Sequence, residues 1–375
     1  MSAEFISLKP DAPNTSAIEH ATKALAEGAL VAFPTETVYG LAANAANSDS
    51  MDRLREVKGR GSNQPFTVHI GHASDCENFV PEITTLGRRF MKKAWPGPLT
   101  LIFRVDDPSS AKAHGLLSKT SAASIYTQNT VGVRFPDHPV ATAILAGTNT
   151  PVVASSANVT GSPAPVEAAP IQDELGDKVD LILDDGPTRY RKNSTIVELN
   201  GNGYRLIRDG VWDQRTIHRF STVNIVFVCS GNTCRSPMAE GIFKKMLAEK
   251  LGCEVETLAE WGIIVQSAGT MGMSGGRASR EAVEVCRRRD VDLTDHASRG
   301  LTPELIHSAD YIFAMAGHHL DAIRSMAPAH AGKAMLLEPN SRDIADPIGG
   351  TTDDYENTAQ RITQALEGRL NEVVI

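Results

Sequence analysis

A short apolar run that ends in a cysteine loop constrains the fold of this chain more than any other feature. The run is Asn-Ile-Val-Phe-Val, residues 224–228, and it leads into Cys229, with Arg235 six positions further on. Because an apolar, β-branched run of this length before turn residues is typical of a buried strand, we expect a strand that ends at Cys229. Pro237 suits the first position of a helix. The segment therefore predicts strand, tight loop and helix, an arrangement whose helix N-terminus binds anions.

The residue types in this loop predict a phosphate site with a nucleophile. Arg235 can hold phosphate oxygens through two charge-assisted hydrogen bonds, and positive surroundings favour the thiolate form of Cys229. Gly231 is expected to supply a positive φ in the turn, and Asn232 to tie the loop to itself. Ser236 is a candidate both for capping the helix and for donating to the sulfur. A bare Cys-x5-Arg pattern also fits a buried cysteine before a surface arginine, so the prediction depends on these neighbours.

In this stretch the chain resembles the low-molecular-weight protein phosphatase family, whose signature is matched by residues 228–237. The nucleophile needs a general acid for its leaving group, and the family takes it from an Asp-Pro loop, matched here by Asp346-Pro347. The resemblance spans residues 223–375. It implies a Rossmann-like parallel sheet and a phosphatase activity that needs no cofactor. It implies catalytic roles for Cys229, Arg235 and Asp346, and phosphate-loop support from Gly231, Asn232, Thr233, Cys234 and Ser236.

The substrate branch is indicated by Thr233 and by Gly349-Gly350 after the Asp-Pro pair, which look like the protein-arginine phosphatase branch. Tyrosine-directed members usually have isoleucine in the loop and aromatic residues after Asp-Pro, whereas the arginine branch usually has phenylalanine where this chain has Ile348. The resemblance implies a phosphoprotein substrate, with phosphoarginine favoured over phosphotyrosine. Tyrosine phosphatase and arsenate reductase activities stay as alternatives, although Cys253 and Cys286 do not form the closely spaced cysteine pair that a reductase uses.

Length, charge and cysteine content limit what the whole chain can be. Its 375 residues exceed what one core usually organises, so two or three domains are expected. A net charge of −8 argues against a chain that mainly coats nucleic acid or lies on anionic membranes. Five cysteines without framework spacing fit a reducing compartment, and we see no signal peptide and no apolar run near the roughly 20 residues of a membrane helix. We therefore expect a cytoplasmic protein with no membrane partner.

The first half contains several short apolar runs that each end in a loop carrying a cation, a hydroxyl or an amide. Ile18, Ala21 and Leu25 recur at helical spacing and predict a helix before a strand that breaks at Pro34. Because no Gly-x4-Gly-Lys-Ser/Thr loop is present, a triphosphate would be held by scattered Lys and Arg, with hydroxyls, amides and Mg²⁺. The segments concerned are 30–41, 57–60, 65–70, 95–100, 131–136, 155–158, 184–186 and 193–197.

In order and spacing these segments resemble the YrdC-like family of L-threonylcarbamoyl-AMP synthases, over residues 13–212. The resemblance implies a twisted open α/β fold with a concave, positively lined cavity. It also implies that L-threonine, bicarbonate and ATP are joined into L-threonylcarbamoyl-adenylate, with release of pyrophosphate. A separate transferase partner would then use this product to modify adenosine 37 of certain tRNAs. The chain departs from the family at Gly61, where proline is common, and in having residues 223–375 where longer members have another domain, with 213–222 as the linker.

The ligand contacts implied by this resemblance fall into two groups. Arg134 would bind the threonine carboxylate, and Thr35, His69 and Ser194 its ammonium and hydroxyl groups, although His69 equally fits a buried core histidine. Mg²⁺ would come with the nucleotide, since no metal site is expected from the protein alone. The candidates for ATP are Lys58, Arg60, Ser62, Ser156, Asn158 and Arg208.

An enzyme of this kind works mainly by positioning its substrates and neutralising the charge of the leaving pyrophosphate, so no nucleophile is expected in the first half. The alternative is a non-enzymatic module that binds double-stranded RNA or serves ribosome maturation. A basic concave surface attracts the phosphates of RNA and of nucleotides alike.

Overall fold

The chain forms two compact units, Met1–Phe220 and Ser221–Ile375, each with its own β-sheet. The computed structural model describes residues 2–9, 14–61, 64–272, 274–340 and 342–373. In these ranges no helix combines the length and the apolar character that crossing a membrane requires.

The first unit is built from strands β1–β10 and helices α1–α7. The strands are β1 (Glu4–Ser7), β2 (Val31–Phe33), β3 (Gly40–Asn44), β4 (Thr67–His69), β5 (Leu99–Arg104), β6 (Thr130–Arg134), β7 (Val152–Ser156), β8 (Leu181–Asp184), β9 (Thr195–Asn200) and β10 (Gly203–Arg208). The helices are α1 (Thr15–Ala26), α2 (Ser48–Lys58), α3 (Thr85–Ala94), α4 (Lys119–Ile125), α5 (Pro139–Gly147), α6 (Ala169–Leu175) and α7 (Gln214–Ser221).

These ten strands form one mixed sheet in the order β1-β8-β2-β3-β7-β4-β6-β5-β9-β10. Successive residues of a strand point to opposite faces. In β2, Ala32 accordingly packs into one buried cluster while Val31 and Phe33 pack into another. Apolar groups therefore cover both faces of the sheet here. The predicted helix and strand near the start of the chain are confirmed by α1, which buries Ala21 and Leu25, and by β2.

Most of the predicted linker, residues 213–222, is helix α7 rather than irregular chain. Ile217 is fully buried in the core of the first unit, and Trp212 and Phe220 pack edge to face with ring centroids 4.8 Å apart. One fully buried residue and two flanking aromatic side chains stabilise this short helix, so most of its other residues can be polar. Because of this polar composition, the sequence of the segment lacks the apolar periodicity that predicts a helix.

The second unit has a four-stranded sheet in the order β12-β11-β13-β14, and all three strand pairs are parallel. The predicted Rossmann-like parallel sheet is therefore confirmed. Its strands are β11 (Val223–Cys229), β12 (Ile263–Gly269), β13 (Tyr311–Ala314) and β14 (Ala334–Leu336). Its helices are α8 (Arg235–Leu251), α9 (Arg280–Arg287), α10 (Pro303–Ser308), α11 (Gly317–Met326) and α12 (Thr352–Arg369).

Strand β11 lies between β12 and β13, so the direction of strand succession reverses at this strand. In open α/β sheets, ligands bind beyond the carboxyl ends of the strands at such a reversal. Cys229 is the last residue of β11, which confirms the predicted strand. The topology therefore places the cysteine loop where a ligand site is expected.

Candidate active sites

The loop 230–234 connects β11 directly to α8, which begins at Arg235. The helix thus starts two residues before Pro237, the position predicted to be its first. Proline is tolerated there because the N–H groups of the first helical turn have no partner within the helix. Arg235 itself belongs to the first turn, so its side chain extends from the helix terminus that faces the loop.

Two donors surround the sulfur of Cys229, a residue that is only 3 % exposed. The backbone N–H of Asn232 donates to Sγ over 3.3 Å, and the Oγ of Ser236 lies 3.0 Å from it. Asn232 also donates from Nδ2 to Ser236 Oγ, over 2.9 Å. Ser236 Oγ also lies 3.5 Å from the carbonyl oxygen of Ala268, and the sulfur at 3.0 Å is the nearer acceptor for its hydroxyl proton. Both donors stabilise negative charge on Sγ, as a nucleophilic thiolate requires.

The positive φ of this loop lies at Asn232, with φ 57°, and not at Gly231. The prediction for Gly231 was therefore wrong. Asparagine tolerates the left-handed region when its short polar side chain is held locally. Here Nδ2 also donates to Ser267 Oγ over 2.8 Å, and Oδ1 accepts from the backbone N–H of Arg299 over 2.8 Å. These bonds fix a fully buried Asn232 in its strained conformation.

Arg235 and Asp346 meet across the loop. The guanidinium donates from Nη2 to the Asp346 carboxylate, and from Nη1 to the carbonyl oxygen of Ile344 over 3.0 Å. Arg235 is 3 % exposed, whereas the side chain of Asp346 is 37 % exposed. The structure thus brings the predicted acid to the predicted phosphate-binding arginine. In this state the carboxylate occupies the place where Arg235 would hold an anion.

The remaining predicted loop residues, Thr233 and Cys234, differ in their surroundings. Thr233 is half-buried, and its carbonyl oxygen accepts from the N–H of Ser279 over 2.9 Å. Cys234 is buried, with its Sγ 3.3 Å from the hydroxyl of Tyr355. Burial raises the pKa of Tyr355 to about 12, so the hydroxyl keeps its proton and can donate to this sulfur. Thr233 and Ser230 are therefore the loop side chains that are left partly open, and Thr233 Oγ1 lies 3.6 Å from Cys234 Sγ.

Sequence reasoning missed a second layer of side chains behind the loop. His296 places Nε2 2.8 Å from the carbonyl oxygen of Asn232, and Ser267 donates to Glu240 over 2.6 Å. His319 places Nε2 3.0 Å from Ser230 Oγ. These partners lie between 27 and 89 residues apart in sequence, so no local pattern could have shown the contacts.

The first unit contains a cavity of about 250 Å³ at the middle of its sheet. The wall contains cations, hydroxyls and a histidine from at least six separate segments. Seven of the predicted site residues line it: Thr35, Arg60, His69, Arg134, Ser156, Ser194 and Arg208. The structure therefore brings together side chains that are spread over more than 170 residues of sequence.

Arg134 already has an acidic partner that sequence reasoning missed. Its Nη2 donates to Glu36 over 2.8 Å and to Thr37 Oγ1 over 2.7 Å, and both side chains of the ion pair are buried. A buried pair of this kind fixes the guanidinium in one orientation at the cavity wall. Glu36 belongs to the segment 30–41, which stood out for its hydroxyl side chains. Its negative charge was the sequence signal that could have indicated a partner for Arg134.

Arg208 reaches the cavity because β10 is irregular at its end. The register with β9 shifts between Leu206 and Arg208, and such a bulge redirects the side chains that follow it. Arg208 Nη2 donates to the carbonyl oxygen of Ser194 over 2.9 Å and to its Oγ over 3.0 Å. Burial lowers the pKa of Arg208, and the nearby charges of Arg134 and Arg60 lower it further. Three guanidinium groups therefore converge on one cavity.

Lys58 and Asn158 lie behind the wall rather than on it, and Ser62 lies outside the described residues. The Lys58 ammonium donates to the carbonyl oxygen of Ser156 over 2.5 Å and to that of Asn158. Burial, followed by the charge of Arg60, lowers the pKa of Lys58 to about 8. The structure differs from the predicted direct phosphate contact, because α2 ends inside the unit and buries this ammonium.

His69 satisfies both interpretations of its sequence. It is 7 % exposed and lines the cavity, and its Nδ1 lies 3.1 Å from the carbonyl oxygen of Thr67. Burial and the charge of Arg134 lower its pKa to about 3, so the ring is neutral at physiological pH. In the part of the chain that the structure describes, no group of three or more His, Cys, Asp or Glu side chains could hold a metal ion.

Two family models match the chain, one in each unit. The Sua5/YciO/YrdC model, described as telomere recombination, matches residues 23–210. The model described as low molecular weight phosphotyrosine protein phosphatase matches residues 224–374.

Relatives with curated names match the two units separately. A threonylcarbamoyl-AMP synthase of Bacillus subtilis is 37 % identical over 197 residues, which are 52 % of this chain and 54 % of that protein. A protein-arginine-phosphatase of B. subtilis is 37 % identical over 148 residues, which are 38 % of this chain and 92 % of that protein. The chain spans about half the length of the first synthases that it matches.

A solved structure of a P. abyssi Sua5 variant shares the fold. It covers 89 % of this chain and 98 % of its own, with 21 % identity and a TM-score of 0.52.

Proposed function

Because the chain belongs to the Sua5/YciO/YrdC family over residues 23–210 and to the low-molecular-weight phosphotyrosine protein phosphatase family over residues 224–374, we propose that it is a bifunctional enzyme. The first unit is a threonylcarbamoyl-AMP synthase, and the second is a cysteine-dependent protein phosphatase. The domains proposed for these activities are residues 13–212 and 223–375. The first unit would use ATP, and its product would serve the modification of tRNA. We therefore propose the cytoplasm as the location.

The synthase proposal depends chiefly on the convergence of Arg60, Arg134 and Arg208 on one cavity. In the proposed reaction, the amine of L-threonine attacks the carbon of bicarbonate and water leaves, which gives the carbamate N-carboxy-L-threonine. The new carboxylate then attacks the α-phosphorus of ATP, and the bond from that phosphorus to pyrophosphate breaks. The guanidinium groups of Arg60 and Arg208 neutralise the charge that develops on the pyrophosphate. Mg²⁺ would accompany ATP, since it is usually bound through phosphate oxygens, water and few protein groups. The product would pass to a separate tRNA-modifying transferase.

The individual roles follow the positions of the side chains. Arg60, Arg208 and Ser156 face the cavity and would contact ATP phosphates, with Ser62 as a further candidate. Lys58 and Asn158 hold the Ser156 loop from behind, so the lysine charge acts on the phosphates at a distance. Arg134, fixed by Glu36, would face the threonine carboxylate, and Thr35, His69 and Ser194 would surround its ammonium and hydroxyl groups.

The test of this half is the release of pyrophosphate from ATP by the full chain. The proposal predicts release that requires both L-threonine and bicarbonate. ATP turnover without that requirement, together with salt-sensitive binding of double-stranded RNA, would instead support the RNA-binding alternative.

The phosphatase proposal depends on the donors that surround Cys229 and on the contact between Arg235 and Asp346. The Cys229 thiolate attacks phosphorus, and the bond from phosphorus to the leaving group breaks. Asp346 donates a proton to that leaving group. Water then hydrolyses the phosphocysteine and releases inorganic phosphate. Arg235 and the N-terminus of α8 hold the phosphoryl oxygens throughout.

Phosphoarginine is the proposed substrate because the loop offers a partly open hydroxyl at Thr233 and no aromatic wall after Asp346-Pro347. Ile348 is 68 % exposed there, and the two glycines after it add no side chain to a slot. A relative of which this chain covers 92 % is named a protein-arginine-phosphatase. A planar guanidinium can bond to a hydroxyl, whereas a phenyl ring gains nothing from it.

We expect kcat/KM for phosphoarginine to exceed that for phosphotyrosine. Thr233→Ile removes the hydroxyl and should lower kcat/KM for phosphoarginine by about tenfold, the effect of one lost hydrogen bond, without lowering that for phosphotyrosine. Steady-state kinetics on both substrates measure the ratio. Equal or faster turnover of phosphotyrosine by the unmodified protein would contradict the proposed specificity.

A further inference from the structure

His319 lies directly behind the phosphate loop and has one nitrogen without a partner. It belongs to α11 and is fully buried, and its Nε2 lies 3.0 Å from the Oγ of Ser230, the residue after the nucleophile. Its Nδ1 is buried and has no hydrogen-bond partner within the described ranges. The proposed phosphatase mechanism gives no role to either residue.

The unpartnered nitrogen decides which way the hydrogen bond runs. Burial, and then the charges of His318 and Arg235, lower the pKa of His319 to about 4, so its ring is neutral at physiological pH and carries one N–H. A proton on Nδ1 would leave a buried donor without an acceptor, which proteins rarely tolerate. An unpaired lone pair is tolerated better. The proton therefore belongs on Nε2, and His319 donates to Ser230.

This direction leaves the hydroxyl proton of Ser230 free to point elsewhere. Ser230 Oγ accepts from His319 and lies 3.5 Å from Nη2 of Arg235, which is also a donor. In the described part of the chain, Oγ has no acceptor for its own proton other than the ring nitrogen already assigned as a donor. The proton is thus directed away from both donors, at the side of the loop where Arg235 would hold an anion.

We propose that Ser230 donates a hydrogen bond to a phosphoryl oxygen of the substrate and that His319 is the positioning residue that fixes this donor. The proposal extends the proposed phosphatase function of the second unit. Charge on the phosphoryl oxygens is what the site must stabilise during transfer. A hydroxyl held in place before the substrate arrives contributes without further reorganisation.

The experiment uses the full chain and compares four variants. They are Ser230→Ala, His319→Leu, the double variant that combines these two changes, and His319→Gln. Leucine fills the buried volume without a donor, whereas the glutamine amide can place an N–H near the position of Nε2. Ser325→Ala is the matched control, since this serine lies at an exposed position of the same helix, α11. For each variant, kcat and KM for phosphoarginine, the Kd for inorganic phosphate and the melting temperature are measured.

The proposal predicts that Ser230→Ala and His319→Leu each lower kcat/KM about tenfold and weaken phosphate binding by a similar factor, the size expected of one hydrogen bond to a charged group. The double variant should be no worse than either single one. His319→Gln should restore most of the loss, and Ser325→Ala should match the unmodified protein.

Three results would overturn the inference: additive losses in the double variant, a glutamine variant as impaired as the leucine variant, or unchanged phosphate affinity in Ser230→Ala. A lower melting temperature in His319→Leu alone does not affect the comparison of Ser230→Ala with His319→Gln. If the unmodified protein does not turn over phosphoarginine or phosphotyrosine, the proposed function fails. The phosphate affinities of the same variants then still decide whether Ser230 and His319 act as one unit.

Discussion

At the scale of single residues, Arg235 and Asp346 form the contact that a phosphate must break. The carboxylate pairs with the guanidinium in the structure, so an incoming phosphoryl group competes with it. Asp346→Asn removes both the competing charge and the acid. We expect kcat for phosphoarginine to fall by about 10²–10⁴-fold, because proton donation to the leaving group is lost. Inorganic phosphate should at the same time bind about tenfold more tightly.

Steady-state kinetics and calorimetric titration with phosphate measure these two effects. Asp353→Asn is the control, since this carboxylate is exposed at the start of α12 and has no role in the site. Unchanged or weaker phosphate binding by Asp346→Asn would show that the ion pair does not oppose the ligand.

Lys58 gives the first site a pH dependence. Its pKa is lowered to about 8 by burial, so it loses its positive charge as the pH rises through that value. ATP affinity should therefore fall by about tenfold between pH 7 and pH 9, the order expected for losing one nearby charge. Lys58→Gln is neutral at every pH, so its affinity should be lower at pH 7 and flat over this range. An equally steep fall in the variant would assign the titration to another group.

Residue-scale contacts divide into those that the sequence predicts and those that it cannot. Cys229 and Arg235 flank the single loop 230–234, so their chemistry follows from local spacing. Glu36 lies 98 residues from Arg134, and Ser230 lies 89 residues from His319. Such pairs depend on which strands become neighbours, and that is decided by the packing of the whole unit.

At the scale of secondary structure, α7 shows how little apolar sequence a short helix needs. Ile217 is its one fully buried residue. Ile217→Ala should lower the free energy of unfolding of the first unit by about 2–5 kcal/mol, the range for truncating a buried isoleucine. Arg215→Ala, at an exposed position of the same helix, should change it by less than about 0.5 kcal/mol. Urea unfolding of both variants measures the difference, and equal small effects would show that α7 does not stabilise this unit.

The predictions for individual elements were most accurate where one pattern dominates. Strand β11 is apolar except at Asn224 and ends at Cys229 as predicted. The start of α8 was misplaced by two residues, because proline is compatible with several positions in a first turn. The bulge before Arg208 had no sequence signal, since a register shift depends on the partner strand.

At the scale of the whole molecule, the two units have separate sheets and separate candidate sites. Both fold classes were predictable, because each unit carries a series of loop motifs that matches a known family. The cavity of the first unit could be predicted only as a set of candidates. Its wall depends on a ten-stranded order in which sequence neighbours are often not neighbours in space.

The central claim is that one chain carries two independent catalytic sites, and two variants assayed for both activities test it most directly. Cys229→Ser removes the nucleophile of the second unit, and Arg60→Ala removes a cation from the cavity of the first. We expect Cys229→Ser to abolish phosphoarginine hydrolysis and to leave pyrophosphate release that depends on threonine and bicarbonate within about twofold of normal. We expect Arg60→Ala to lower this pyrophosphate release at least about tenfold and to spare phosphoarginine hydrolysis. Loss of both activities in either variant would contradict the account.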